Sequence, residues 1–365
     1  MEKFLSKPAL DRYRKKVFQV LERENFIIDG DVRGTVEQRI SNGRRYFFIV
    51  AKRNENGTVV ERFLKIPQNN TKKLLEPFER QIEFARYIKD HTKLNTRGVI
   101  AYNVNPKKGV PFAIMETFPL SHAKIGFIEG STKSELLGER EARNVLGDLQ
   151  KFHEIRFDDL PPKLRKLLKK GTDFNHVKRS VRQSLMKKVL PLDAENGKRE
   201  ILHKLLERRL GIPDFKKKIE RTIAALEPVV NSPSNKGRFV THGDMAPNNL
   251  YVFNDGTVEF LDLEWVGYFT NRVIAMIYDF GNMRARAWKN PLFRNELDKE
   301  LVRIYRARGE EKIANAIICL SILRSNVIFS GFFENYPLDK QERDEEKNRK
   351  EATENEIKKI WDFGF

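Results

Sequence analysis

At 365 residues with 40% hydrophobic side chains, the chain is long enough to bury the cores of two domains or lobes. Its single cysteine, Cys319, excludes an intramolecular disulfide framework and favours a reducing, cytoplasmic setting. The net charge of +18 is unevenly spread, and its basic excess is open to a solvated face or to contact with an anionic partner or acceptor. The most apolar stretch, residues 313–333, contains Asn315, Arg324 and Asn326 and reads as a buried helix, not a transmembrane segment. Lys3, Lys7 and Arg12 interrupt any signal-peptide run.

In chain order, residues 35–40, 46–51 and 59–66 read as the strands of a meander, with turns at Ser41-Asn42-Gly43 and Asn54-Glu55-Asn56-Gly57. The third of these strands carries Lys65 among apolar neighbours. Residues 77–89 read as a helix whose apolar stripe, Phe78, Ile82, Ala85 and Ile88, includes one polar member, Gln81, with Glu79 and Glu83 to either side. Two further strands, 98–103 and 110–118, are joined by a turn at 105–109. A helix over 141–155 has a core stripe of Ala142, Val145, Leu146, Leu149, Phe152 and Ile155, beside which His153 reads as buried and hydrogen-bonded. Residues 160–221 read as helices with turns at Gly171, Asn196-Gly197 and Gly211-Ile212-Pro213, and they hold 19 Lys and Arg against 7 Asp and Glu, a net +12.

The chemistry concentrates farther on. Short strands at 239–241 and 250–253 flank Thr241-His242-Gly243-Asp244-Met245-Ala246-Pro247-Asn248-Asn249, and the hairpin signal Asn254-Asp255-Gly256 leads into a returning strand at 257–261 that ends on Asp262. An Asp, an Asn five residues later and a second Asp beyond a hairpin have the order required for phosphoryl transfer of the protein-kinase kind. Asn249 and Asp262 offer hard oxygen ligands for a cation on nucleotide phosphates. Asp244 would orient an acceptor hydroxyl and take its proton, with Gly243 letting the backbone pass close by. Glu264 is open to a role beside the metal or in a structural hydrogen bond.

His242-Gly243-Asp244 with Asn249, then Leu261-Asp262-Leu263-Glu264, resembles the aminoglycoside phosphotransferase and choline kinase family, which shares the protein-kinase fold. Tyr278-Asp279-Phe280-Gly281-Asn282 is similar to a further stretch of choline kinases, in which the position of Asp279 braces the catalytic loop. The resemblance implies an α+β, two-lobed protein-kinase-like fold. A small antiparallel-sheet nucleotide-binding lobe would span 1–118 and end in a hinge. A larger, mainly helical catalytic and acceptor-binding lobe would span 119–365, with the basic helical insertion at about 160–221. It also implies ATP and Mg2+, with Lys65 on the α and β phosphates and Glu116, Thr117 and Phe118 as the hinge that binds adenine through its backbone. The helix over 77–89 would pair a glutamate with Lys65, and here the chain departs from the pattern. Gln81 could bond Lys65 without neutralising it, the helix could turn so that Glu79 or Glu83 pairs, or the ion pair could be missing.

The function expected is transfer of the γ-phosphoryl group of ATP to a hydroxyl of a small molecule. The alternative is a pseudokinase or atypical protein kinase whose basic helices bind an acidic partner, nucleic acid or another polyanion. A basic lid over the site would favour an anionic or neutral acceptor over a polycationic one. Trp265, Tyr268, Phe269 and Trp288 are either core or a cation-π box. The charged segment beyond 338 reads as a solvated helix. Acceptor identity and oligomeric state are not encoded in any motif.

Overall fold

A computed structural model describes residues 7–30, 46–117, 123–125, 137–189, 198–253, 255–329, 348, 351–352 and 355–363. The expected strand at 35–40, the turn at Ser41-Asn42-Gly43 and the hinge residue Phe118 lie outside them. The chain divides into two compact units. One comprises Met1–Ala123, Pro162–Leu167 and Glu259–Val266, and the other comprises Lys124–Pro161, Leu168–Val258 and Gly267–Phe365.

The first unit is built on strands β1 (Tyr46–Glu55), β2 (Thr58–Pro67), β3 (Val99–Asn103) and β4 (Phe112–Glu116), in the order β1-β2-β4-β3. Neighbours in this sheet are antiparallel. The β1–β2 hairpin turns through Asn56 (φ 52°) and Gly57 (φ 88°), the two left-handed residues that a tight hairpin with native strand twist requires. One set of side chains, Ile49, Ala51, Leu64, Ile66 and Ile114, packs with Val17, Val20 and Leu21 of helix α1 (Lys7–Arg23). Another set, Tyr46, Ala113 and Met115, packs with Leu74, Phe78 and Ile82 of helix α2 (Lys72–His91). The sheet is thus lined by a helix on each side, and α1 is an element the sequence reading lacked. Helix α2 begins a turn earlier than expected and takes Pro77 into its interior.

Arg80 joins the two distant segments to this unit. From α2 its Nε donates to the Leu167 carbonyl at 2.7 Å and its Nη1 to the Glu264 carbonyl at 2.6 Å. The short helix α4 (Pro162–Leu167) and the turn after Asp262 are therefore pinned to α2 by one buried guanidinium.

Glu259 is buried in the same unit, and its Oε1 has no hydrogen-bond partner among the described residues. Burial pushes its carboxyl up to about 8, against the pull of Arg97 and Lys89. Between the ordinary 4.5 and 8 the unfolded chain releases a proton that the folded chain retains, so stability falls as pH rises through that window. Glu259→Gln is expected to remove this penalty, worth up to about 5 kcal/mol at pH 8 at 1.36 kcal/mol per pH unit. Thermal midpoints of variant and wild type should converge near pH 4.5 and separate in the variant's favour toward pH 8. A difference independent of pH would contradict this.

The second unit is mainly helical. Helices α3 (Glu139–Glu154), α5 (Phe174–Leu185), α6 (Leu202–Leu210) and α7 (Phe215–Val230) precede strand β5 (Lys236–Thr241). Strand β6 (Leu250–Phe253) is followed by β7 (Val258–Phe260), of which Glu259 and Phe260 belong to the first unit, and then by β8 (Gly267–Asn271), α8 (Arg272–Arg286), α9 (Pro291–Arg306) and α10 (Glu311–Phe329). Strand β8 pairs antiparallel with β5 and leads directly into α8. Asn271 caps that helix by accepting from the N–H groups of Val273 and Ile274. Ala314 to Leu323 of α10 are almost continuously buried, as the sequence reading required, and no helix among the described residues is long and apolar enough to cross a membrane.

The terminal segment corrects an expectation. Its described residues 355–363 are not simply solvated: Ile357 and Ile360 are buried, and Trp361 meets Phe215 edge-on at 6.0 Å. Glu356 pairs with the buried Arg284 and lies 3.8 Å from Arg294. Burial would raise its carboxyl, but Arg284, Arg294 and Lys359 outweigh that and hold it at about 2. The mixed charges that read as solvation are partly an internal ion-pair network, a distinction composition cannot make.

Candidate active site

In the first unit the site is organised by Lys65. Strand β2 places its ammonium in the interior, where it is 1% exposed. Gln81 Oε1 accepts from it at 2.5 Å, Asp262 Oδ1 lies at 3.3 Å, and Glu264 Oε1 is a close ion-pair partner. The ammonium also stands 4.2 Å from the centroid of the Tyr46 ring. Of the three sequence alternatives, the structure has the first: Gln81 bonds Lys65 and does not neutralise it. Glu79 and Glu83 instead meet Lys163, at 3.5 and 2.7 Å. The neutralising carboxylates come from Asp262 and Glu264, so the acid that the kinase pattern puts on the helix is here supplied two residues after Asp262. Burial pushes the Glu264 carboxyl up, opposed by Lys65 and reinforced by Asp262.

Asp262 has left-handed backbone geometry, φ 54° and ψ 56°, which Asp tolerates better than most residues, and it opens the short turn Leu263–Trp265. That turn directs the Asp262 and Glu264 side chains to one ammonium. The Asp262 side chain is 34% exposed, in contrast to that of Glu264 at 7%.

Glu116 and Thr117 lie at the end of β4. The Glu116 N–H donates to the Gly98 carbonyl at 3.0 Å, and its carboxylate accepts from Lys89 and from the Gly98 N–H. The Thr117 hydroxyl donates to the Glu61 carbonyl at 2.8 Å. The Glu116 N–H is thus spent inside the sheet edge, which a positional assignment of the hinge could not reveal.

In the second unit Asp279 organises the loop after β5. Its Oδ2 accepts from the His242 N–H at 2.9 Å and its Oδ1 from the Gly243 N–H at 2.8 Å. His153 of α3 contacts Oδ2 through Nε2 at 2.8 Å, and all of Asp279, His242 and His153 are buried. Gly243 has φ 83°, so a side chain there would strain the turn that presents Asp244. Asn249 folds back over the same loop, its Nδ2 donating to the Asp244 carbonyl at 2.6 Å and approaching Asp244 Oδ2 at 3.3 Å. This use of the amide nitrogen directs the side-chain oxygen of Asn249 elsewhere. Asp244 Oδ1 accepts from Arg286 at 2.9 Å, a partner the sequence reading missed. Arg286 follows Asp279 by seven residues, two turns along α8, so a helical projection from Asp279 was the available signal.

The aromatic residues divide into ordinary pairs. Tyr268 packs on Phe157 with centroids 4.0 Å apart and Phe269 on Tyr278 at 4.6 Å, while Trp265 is half exposed and Trp288 has Lys289 over its ring. Tyr268 and Phe269 are thus engaged in packing within the second unit.

No protein-family model matches the chain, and no curated protein does. Solved structures do. A microcompartment-associated aminopropanol kinase aligns over 96% of this chain and 98% of its own at 12% identity, with a TM-score of 0.54. Spectinomycin phosphotransferase, solved with ADP and spectinomycin, aligns over 96% and 98% at 13% identity and a TM-score of 0.49. An ethanolamine kinase of Plasmodium vivax aligns over the same shares at 12% identity and 0.45. The aminopropanol kinase is similar enough to show the fold: an α+β kinase-like chain with an antiparallel-sheet N-terminal portion and a mostly helical remainder. That is the fold class implied by the resemblance to aminoglycoside phosphotransferases and choline kinases.

Proposed function

We propose that the protein is an ATP- and magnesium-dependent phosphotransferase that moves the γ-phosphoryl group to a hydroxyl of a small molecule in a cytoplasmic setting. Lys65 and Asp262 carry this reading. They lie 3.3 Å apart, a phosphate-binding ammonium beside a metal-binding carboxylate, as phosphoryl transfer requires. Residues 1–118 would hold the nucleotide and 119–365 would carry the catalytic loop and the acceptor.

Lys65 would bind the α and β phosphates, held in place by Gln81 and Glu264. Glu116, Thr117 and Phe118 would border the adenine through main-chain groups. Asp262 and Asn249 are the residues that would hold magnesium, and their oxygen-only donor set suits a hard cation whose shell phosphates complete. Bound there, the ion would neutralise charge on the β and γ phosphates. Asp244 would orient the acceptor hydroxyl and receive its proton as the acceptor oxygen bonds to the γ-phosphorus and the bond to the β-γ bridging oxygen breaks, releasing ADP. The rival pseudokinase reading draws on the neutral Gln81 and the basic helical region, and the carboxylates of Glu264 and Asp262 beside Lys65 support the enzyme reading over it.

Magnesium-dependent ADP release, followed over a panel of sugars, sugar acids, amino alcohols and aminoglycosides, tests this. Stimulation by one acceptor class is expected. Tight ATP binding with no acceptor-stimulated turnover would favour a scaffold.

A further inference from the structure

Helix α8 carries more than the brace for the catalytic loop. Asp279, Asn282 and Arg286 stand at i, i+3 and i+7, one stripe of the helix. Asp279 holds the loop, and Arg286 reaches Asp244 at 2.9 Å. Between them Asn282 Oδ1 accepts from Nη1 of Arg324 on α10 at 2.8 Å. The guanidinium of Arg324 lies over the Tyr278 ring, 4.0 Å from its centroid, and the Tyr278 hydroxyl is itself tied to Thr172 at 2.7 Å. Thus two guanidiniums lie along the helix that braces the loop of the proposed base, and their anchor points, Asn282 and Arg286, are one helical turn or about 6 Å apart.

The two differ in how their charge is met. Arg286 is exposed and paired with Asp244. Arg324 is partly buried, its Nε has no hydrogen-bond partner, and no carboxylate lies within 4.0 Å of it among the described residues. Its nearest neighbours are a neutral amide and the ring and hydroxyl of Tyr278, which orient the guanidinium, while the Asp279 carboxylate acts on it only from beyond ion-pair distance. A planar cation fixed in this way is suited to a carboxylate or phosphate, and burying it without one is costly.

We propose that Arg324 and Arg286 are specificity residues that select an acceptor carrying an anionic group, a carboxylate or a phosphate, in addition to the hydroxyl that is phosphorylated. This rests on the kinase reading above for the identity of the hydroxyl, but not for the binding of the anion. Arg324 takes the anionic group, and Arg286 keeps positive charge beside Asp244. Amino alcohols and aminoglycosides, which bring a cation to this place, are disfavoured by the same two groups.

Two measurements test it. Calorimetric titration without nucleotide, using inorganic phosphate, glycerol 3-phosphate, gluconate and, as controls, glycerol and ethanolamine, reports anion binding directly. The anionic probes should bind the wild type, the neutral and cationic controls should not, and Arg324→Gln and Arg286→Gln should each weaken binding about 10-fold or more. Whether phosphate or carboxylate is preferred follows from the two arms. In ADP-release assays on matched pairs, sugar acid or sugar phosphate against parent sugar, Arg324→Gln should raise KM for the anionic member while changing kcat little, and Arg324→Lys should recover part of the loss. Equal use of charged and neutral members, preference for ethanolamine, or an Arg324→Gln loss that falls alike on all acceptors would overturn it. Anion binding lost in Arg324→Gln but with no turnover of any acceptor would defeat the kinase reading and leave the anion site standing. Turnover of neutral acceptors with no anion binding would do the reverse.

Discussion

Asp244→Asn is expected to reduce acceptor-dependent phosphoryl transfer by about 10²- to 10⁴-fold, the range for loss of a positioned general base. The substitution keeps the side-chain volume, and the loop has its own supports. The His242 and Gly243 N–H groups remain on Asp279, and Asn249 still donates to the carbonyl of residue 244. Arg286 loses its ion pair, but that pair is exposed, with side-chain exposures of 43% and 27%, so little stability goes with it. Nucleotide affinity and the thermal midpoint should therefore stay close to wild type while kcat collapses. A variant that retains turnover would remove Asp244 from the chemistry, and one that unfolds would make the loop depend on its carboxylate.

Lys65→Ala should have the second large effect, and on two observables together. Removing the ammonium leaves the buried Glu264 and the neighbouring Asp262 facing each other without a counter-charge, and breaking such a buried pair costs about 3–5 kcal/mol. Nucleotide affinity should fall with it. The carboxyl of Glu264, already pushed up by burial, should then rise further. The loss of stability in Lys65→Ala should accordingly shrink at acid pH, where Glu264 takes a proton, and grow toward neutral pH. Glu264→Gln should cost less, because Lys65 keeps Gln81 and Asp262. Denaturant unfolding of both variants at pH 5 and pH 8 reads the difference. Equal costs for the two substitutions, or no dependence on pH, would mean that the Lys65 cluster is not electrostatically coupled in this way.

The parts of the site legible in the sequence were those encoded by contiguous chain. His242 to Asn249 fold as one loop, and Asp262 and Glu264 sit on one turn, so spacing alone carried their order. The strands of the first unit were legible because their apolar runs are bounded by turn residues such as Asn56 and Gly57. Partnership across the chain was less so. Gln81 was recognised as a polar residue in an apolar stripe, but which acid faces Lys65 depends on how the turn after Asp262 docks on α2, and that is decided by Arg80 gripping the carbonyls of Leu167 and Glu264. Helix α1 escaped because Val17, Val20 and Leu21 are a thin stripe in a basic segment, sufficient only once a sheet face exists to receive it. The terminal segment escaped for the opposite reason. Its charges outnumber its apolar residues, and only Arg284 and Arg294 waiting inside the second unit make Glu356 an interior residue. Arg286 had no motif at all, and its meaning comes from standing two helical turns after Asp279.

Phosphoryl transfer to a small-molecule hydroxyl is tested by following the γ-phosphoryl group itself. Wild type and Asp244→Asn are incubated with ATP, magnesium and a mixed pool of hydroxyl compounds, and the pool is then analysed by mass spectrometry. A phosphorylated acceptor formed by the wild type, dependent on magnesium and missing from Asp244→Asn, is the predicted result. ATP bound by both proteins with no acceptor phosphorylated by either, or an equal yield from both, would contradict it.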